Sequence, residues 1–238
     1  MRRLVFVVIF LVSLTASYFI WRNAPEYLRR GGPLLVLGLT CLFLVITFAV
    51  ERAIVLARGG GRGGLAAFMG NVKSTIQDGT IERAIDACKK QGGCLGNVIG
   101  AGLERYRYSR STGSSRSELL DDTKRAIEEA MSLEGTVLER NLSVLSTIAS
   151  IATMLGLLGT TIGMIRAFRA MGQAGAPDAI QLAIGISEAL VNTALGLSTA
   201  MIGIVLYNYF STRVDNSMSE IEETGFEVID LLRQVKES

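Results

Sequence analysis

The sequence predicts an all-α membrane protein: three core transmembrane helices, an N-terminal hydrophobic helix or signal peptide, and long helices extending into the cytoplasm. Three observations predict it. Apolar residues make up 49% of the 238-residue chain, and its mean hydropathy is +0.38. They gather into four blocks, Leu4–Trp21, Pro33–Val50, Leu142–Ile165 and Leu182–Phe210, where a span needs about 20 mostly apolar residues. The charges crowd instead into residues 51–140 and the C-terminal tail. A chain this short could not easily bury four such runs in a soluble core.

Leu4–Trp21 follows Arg2 and Arg3 and reads either as an uncleaved helix or as a signal peptide with a mediocre cleavage site near Thr15-Ala16-Ser17. Both readings put the next residues outside the cytoplasm. The N-terminal segment with its outer link is residues 1–32. The first core span, 33–52, opens on Pro33, which suits a helix start, and closes on Glu51 and Arg52. The glycine-rich run from Arg58 through Arg62 to Gly64 then reads as a flexible hinge.

Residues 53–141 form the cytoplasmic helical region, because Lys and Arg concentrate there. Short helices are expected at Leu65–Gln77, Thr80–Lys90 and Leu95–Tyr108, broken by Gly79 and by Gly92-Gly93. A loop at 109–116 precedes a long helix capped by Ser117, with Glu118, Asp121 and Asp122 in its first turn. No Gly-Pro signal separates that helix from the next apolar run, so it is expected to continue straight into the membrane. The second core span is 142–166, a short periplasmic link is 167–181, the third span is 182–210, and 211–238 is a charged cytoplasmic helix. Gly172, Gly175 and Pro177 are expected to turn the link, and Arg166 stands at the boundary between span and link.

Composition narrows the function. The formal charge is +2, and neither charged region is basic enough to suggest nucleic acid. The chain has no histidine, which removes the commonest general base and metal ligand. Cys41, Cys88 and Cys94 lack metal-site spacing and read as reduced thiols. No cofactor or metal is expected. No nucleophile sits beside a base and no phosphate loop is present, so a membrane enzyme is disfavoured.

The last two spans carry a different pattern from the first two. Ser146, Ala149, Thr153, Gly156, Thr160, Gly163 and Ala167 recur at steps of three and four in one. Ala189, Thr193, Gly196, Ala200 and Gly203 do so in the other. Such spacing keeps the members on one helix face. The stripe has two readings. Small residues let membrane helices approach closely; alternatively Thr153, Gly156, Gly163, Gly196 and Ala200 face a cavity, with Thr160 and Thr193 offering hydroxyls to a moving ion. Glu188 is the acidic residue within these spans. Burying it costs at least ~2.5 kcal/mol, so it needs a partner or water, and it is read as functional. Asn192 lies one turn away on the same side. Glu188 and Thr193 are about 140° apart around the helix, so one is expected to face the pore and the other a neighbouring subunit.

These residues resemble the ExbB/TolQ/MotA proton-channel family, closest to its ExbB and TolQ branch. The run from Glu139 through Gly156-Leu-Leu-Gly-Thr160-Thr-Ile-Gly resembles its second core span, and Gly185-Ile-Ser-Glu188-Ala-Leu-Val-Asn-Thr193-Ala-Leu-Gly-Leu its third. Tyr207-Asn208, and Arg30-Gly-Gly-Pro with Glu51-Arg52, also fit. The resemblance implies a pentamer whose second and third spans surround single-span ExbD/TolR-like partners, each carrying a membrane aspartate. It implies that Thr160 and Thr193 face the pore and that Glu188 is the buried acid. The complex would drive a TonB-like or envelope force receiver. Three features depart from the family pattern. Thr153 stands where the family often has proline. Asn192 adds a polar group near the ion path, which keeps a sodium-driven version open. Leu4–Trp21 precedes the usual first span. A passive envelope scaffold remains the competing reading, and the short cytoplasmic region argues against a flagellar-type stator.

Overall fold

In a computed structural model, the protein is described at residues 2–25, 29, 31–61, 64–173 and 179–234. Eight α-helices and no strands occur among the described residues: α1 (Arg2–Asn23), α2 (Gly32–Gly59), α3 (Leu65–Gln77), α4 (Ile81–Gln91), α5 (Gly93–Ser111), α6 (Arg116–Glu139), α7 (Leu142–Gln173) and α8 (Ala179–Gln234). Four stretches are long and apolar enough to cross a membrane, lying in α1, in α2, within 116–172 and in α8. The chain is thus an all-α, multi-pass membrane protein. It divides into two compact units, residues 1–52 with 141–209, and residues 53–140 with 210–238.

The first unit holds the spans. Phe6, Val7, Val8, Phe10, Leu11, Val12, Phe19 and Ile20 are exposed on α1, as suits a helix surrounded by lipid. Its polar side is closed locally: Ser17, fully buried, donates its hydroxyl to the Ser13 carbonyl at 2.7 Å. The Phe6 and Phe48 rings stack at 5.5 Å, joining α1 to α2. On α2, Leu35, Val45 and Phe48 are buried, and a methyl group at Gly38 would lie 2.8 Å from the Leu195 side chain of α8. The α2 span ends at a satisfied charge: Arg52 is fully buried and makes two 2.7 Å bonds to the Glu51 carboxylate.

The second unit is a helical assembly in which α3 packs on α4, α4 on α5 and α5 on α6. Two glycine turns interlock. Gly61, Gly92 and Gly93 all have positive φ, and a methyl at Gly93 would lie 2.5 Å from the Gly59 carbonyl oxygen. Only glycine meets both demands. The α2 helix therefore runs into the expected hinge as far as Gly59; Arg62 and Gly63 lie outside the described residues. Burial pushes the Cys88 thiol up to about 12, with the Glu104 charge adding to it, and burial pushes Cys94 up to about 12 as well. Both are inert as nucleophiles.

Several boundaries differ from expectation, among them the end of α5, which runs through Ser111, and the extent of α8, which is one helix from Ala179 to Gln234. Three others differ for visible reasons. Ser115, not Ser117, caps α6: its hydroxyl accepts from the Glu118 backbone N–H while the Glu118 carboxylate accepts from the Ser115 N–H. That reciprocal pair satisfies two end donors, which Ser117 could not do from inside the helix. The passage from α6 to α7 is broken at Arg140-Asn141, where Asn141 takes φ +66° and its amide reaches Glu51 at 3.4 Å. Asparagine tolerates that conformation better than other non-glycine residues. Finally, α7 runs to Gln173, so Arg166 and Gly172 are helical. No proline precedes Gly172 in α7, and an isolated glycine does not stop a helix. The expected turn at Gly175 and Pro177 lies outside the described residues, as does Arg30.

Candidate functional site

In the first unit the small residues of α7 and α8 meet each other. A methyl at Gly196 would lie 2.6 Å from the Ala152 carbonyl oxygen and 2.8 Å from Gly156 Cα. One at Gly163 would lie 2.7 Å from the Gly185 carbonyl oxygen, and one at Gly156 3.4 Å from Thr193 Cα. The two backbones touch. Within this chain Gly156, Gly163 and Gly196 line the seam between two helices, and Ala200 is buried. The physical reason is dispersion at contact distance, the main attraction open to helices in lipid. Thr153 is half-buried and donates to the Ala149 carbonyl of its own helix at 3.1 Å.

The two threonines differ from one another. Thr193 lies on the seam, with its hydroxyl oxygen 3.1 Å from the Gly156 carbonyl across it and 3.1 Å from the Ala189 carbonyl of its own helix. Its single proton is thus committed to backbone. Thr160, one turn beyond Gly156, donates to Leu157 of its own helix at 2.7 Å. Both remain half-buried. A hydroxyl whose proton is spent still has lone pairs to offer, so each can accept from a hydrated proton or approach a cation.

Glu188 is 4% exposed and does not face away from its own chain. Its carboxylate accepts a hydrogen bond from Arg166 of α7, and the two form an ion pair. Gly32, the first residue of α2, abuts them: a methyl there would lie 2.5 Å from Glu188 Oε1 and 3.5 Å from Arg166 Nη1. Asn192, also buried, donates its amide to the Gly31 carbonyl at 2.9 Å. The turn carrying Glu188 and Asn192 is therefore occupied by α2 and α7. Within this chain both Glu188 and Thr193 contact α7.

The partner that burial of Glu188 demands is Arg166, which sequence reasoning had placed at the boundary between span and link. Continuing the α7 register past Ile165, with no breaker until Gly172, would have found it. Thr199 was also missed: it is fully buried and its hydroxyl is unpartnered among the described residues. No group of three or more metal-binding side chains occurs among the described residues.

Residues 93–223 match the model of the MotA/TolQ/ExbB proton channel family. A protein named as an ExbB homologue in Methanothermobacter thermautotrophicus is 34% identical over 63% of this chain and 54% of its own. The biopolymer transport protein ExbB of Pseudomonas putida is 24% identical over 83% of this chain and 60% of its own. The Tol-Pal system protein TolQ of Pseudomonas aeruginosa is 32% identical over 49% of this chain and 51% of its own. The chain thus spans 51–60% of the length of these curated relatives. The matched segment runs from the start of α5 through the small-residue seam and both threonines into the C-terminal part of α8, and with more than half of its residues inside that match this chain belongs to the MotA/TolQ/ExbB proton channel family.

Proposed function

We propose that this chain is the channel subunit of a proton-motive-force-driven motor in a bacterial inner membrane, energising transport or mechanical work at the outer membrane or envelope. In this reading residues 53–141 and 211–238 lie in the cytoplasm, and a short periplasmic link joins α7 to α8. Five copies surround single-span ExbD/TolR-like helices. Each of these supplies the membrane aspartate that takes up and releases the proton, and a TonB-like or envelope protein receives the force. Each charge crossing supplies ~2.3 kcal/mol per 100 mV.

The observation that carries the reading is the state of the threonine hydroxyls. Thr193 sits where α7 and α8 touch, its proton is given to backbone, and it keeps acceptor capacity that the surrounding apolar and glycine positions lack. Thr160 has the same property. These two are the side chains assigned here to the ion route.

The test is flux into liposomes holding this chain and its single-span partner. Thr193→Val keeps shape and loses the oxygen. It is expected to abolish flux while the complex still assembles, as is removal of the partner's aspartate. A specific observation favours a second reading. The glycines of the seam are fully used by packing, which is what a passive scaffold would need. A well-assembled wild-type complex that passes no ions under a proton or a sodium gradient would support the scaffold.

A further inference from the structure

Three contacts converge at one end of the first unit's spans. The Glu188 carboxylate of α8 is paired with the Arg166 guanidinium of α7. Gly32 at the start of α2 abuts that pair with φ +67°, a backbone conformation that favours glycine, and a methyl there would displace the Glu188 carboxylate. One turn along α8, Asn192 is bonded to the adjacent Gly31 carbonyl. The Glu188 side chain is 6% exposed, whereas that of Arg166 is 51% exposed. The carboxylate is enclosed, and its opening is taken by the guanidinium and by the positive end of the α2 helix. A group enclosed in this way has little room for a further donor or for water.

We infer that Glu188 and Arg166 form a net-neutral clamp joining α2, α7 and α8, and that Arg166 acts as a positioning residue through Glu188. Glu188 is then not a stop on the ion route. This rests on the channel reading above but departs from the role the family resemblance implies for the buried acid. The logic is charge balance. Removing one partner leaves the other as an uncompensated charge among apolar helices, which is far worse than removing both. Glu188→Gln leaves a bare guanidinium facing any approaching cation. Arg166→Gln leaves a bare enclosed carboxylate. The double change leaves two neutral amides of similar size that can bond each other.

A proton carrier behaves otherwise. If Glu188 must take up the proton, Glu188→Gln is inactive whatever stands at position 166, and neutralising Arg166 restores nothing.

The experiment is a double-mutant cycle on the full chain reconstituted with its single-span partner. Proton flux and the midpoint of thermal unfolding are both read. Each single variant, R166Q and E188Q, is expected to lower flux by about tenfold, inside the roughly 2- to 150-fold range by which contacting residues couple. R166Q/E188Q is expected to recover most of that loss, and R166K, which keeps the charge, to stay near wild type. A double variant as inactive as E188Q, in a complex that assembles and melts like wild type, overturns the clamp and makes Glu188 a carrier. So does a protonated-carboxyl infrared band during turnover that disappears in E188Q. If wild type passes no ions, the channel reading fails on its own, and the clamp is judged by melting. A double variant closer to wild type than either single sustains it, and strictly additive losses overturn it.

Discussion

Where α7 meets α8, backbone lies against backbone, with Gly196 beside Ala152 and Gly156, and Gly163 beside Gly185. Where α5 meets α6, a side chain fills the gap: a methyl at Gly102 would lie 2.5 Å from Ile127 Cγ1, and Ile127 also reaches within 3.1 Å of one at Gly225 of α8. The first contact belongs to the membrane-spanning unit, the second to the other. In lipid, burying an apolar side chain gains little over leaving it exposed, so helices associate through contact area and small residues are favoured. Under the proposed cytoplasmic placement of the second unit, burying Ile127 is itself the gain. Polar groups bridge helices in both units, as Glu188 and Arg166 do in the first, and hydroxyls in both also turn back on their own helix. Thr40, Thr153 and Thr160 return their hydroxyls to their own helix backbone. In the second unit Asp122 accepts from Ser109 at 2.8 Å and from Arg105 at 3.0 Å, joining α6 to α5.

The comparison is broken most directly at Gly196. Gly196→Val places a branched three-carbon side chain where a single carbon already meets backbone at 2.6 Å. Backbone cannot rotate away as a side chain can. The expected loss is at least the ~1–3 kcal/mol typical of overpacking, read as earlier unfolding in denaturing detergent and loss of assembly. Gly172→Ala, on α7 and with nothing within 4 Å, is the control and is expected to be neutral. Equal behaviour of the two would show that the close seam does not hold α7 to α8.

The corresponding change in the second unit is Ile127→Ala. Ile127 is 4% exposed, and truncating it leaves a hole over Gly102. The expected cost is about 2–5 kcal/mol. It is measured as faster hydrogen exchange at α5 and α6 amides in the full chain. The α7 and α8 seam should keep its protection, since no contact there involves Ile127.

How much of this was legible in the sequence follows the same division. Hydropathy alone marks helices that lipid surrounds, because a span of α1's length and composition has few other uses. The seam was visible as a repeat of small residues, but its direction was not. Spacing says which residues share a face and cannot say whether a pore or a neighbouring helix lies opposite. The same limit hid Arg166, whose partner Glu188 is distant in sequence and is brought near only by packing of α7 on α8. In the second unit the signals are local and chemical. Gly79 and Gly92 mark turns through their positive φ. The α6 start was misplaced by two residues because Ser115 and Ser117 are both good caps. The difference is made by Glu118, which stands three residues after Ser115 and closes the reciprocal bond.

The smallest expected effect concerns pH, and it sharpens the contrast because it arises in the second unit. The Ser109 hydroxyl, and then the Arg105 guanidinium, hold the Asp122 carboxyl below the usual carboxylate range. The Ser115 N–H and hydroxyl do the same for Glu118. A carboxyl with a lowered folded-state pKa contributes stability that is present above its unfolded pKa, about 3.9 for Asp and about 4.3 for Glu. That contribution disappears as pH falls through the folded value. Glu118 is exposed and Asp122 only half-buried, so each contribution is small. Asp122→Asn should therefore exchange α5 and α6 amides faster than wild type at pH 7. The gap should close as both proteins are taken below the folded pKa, where wild-type Asp122 is itself neutral. A gap that persists in strong acid would mean that the 2.8 Å contact with Ser109 holds the helices through geometry, with charge contributing little.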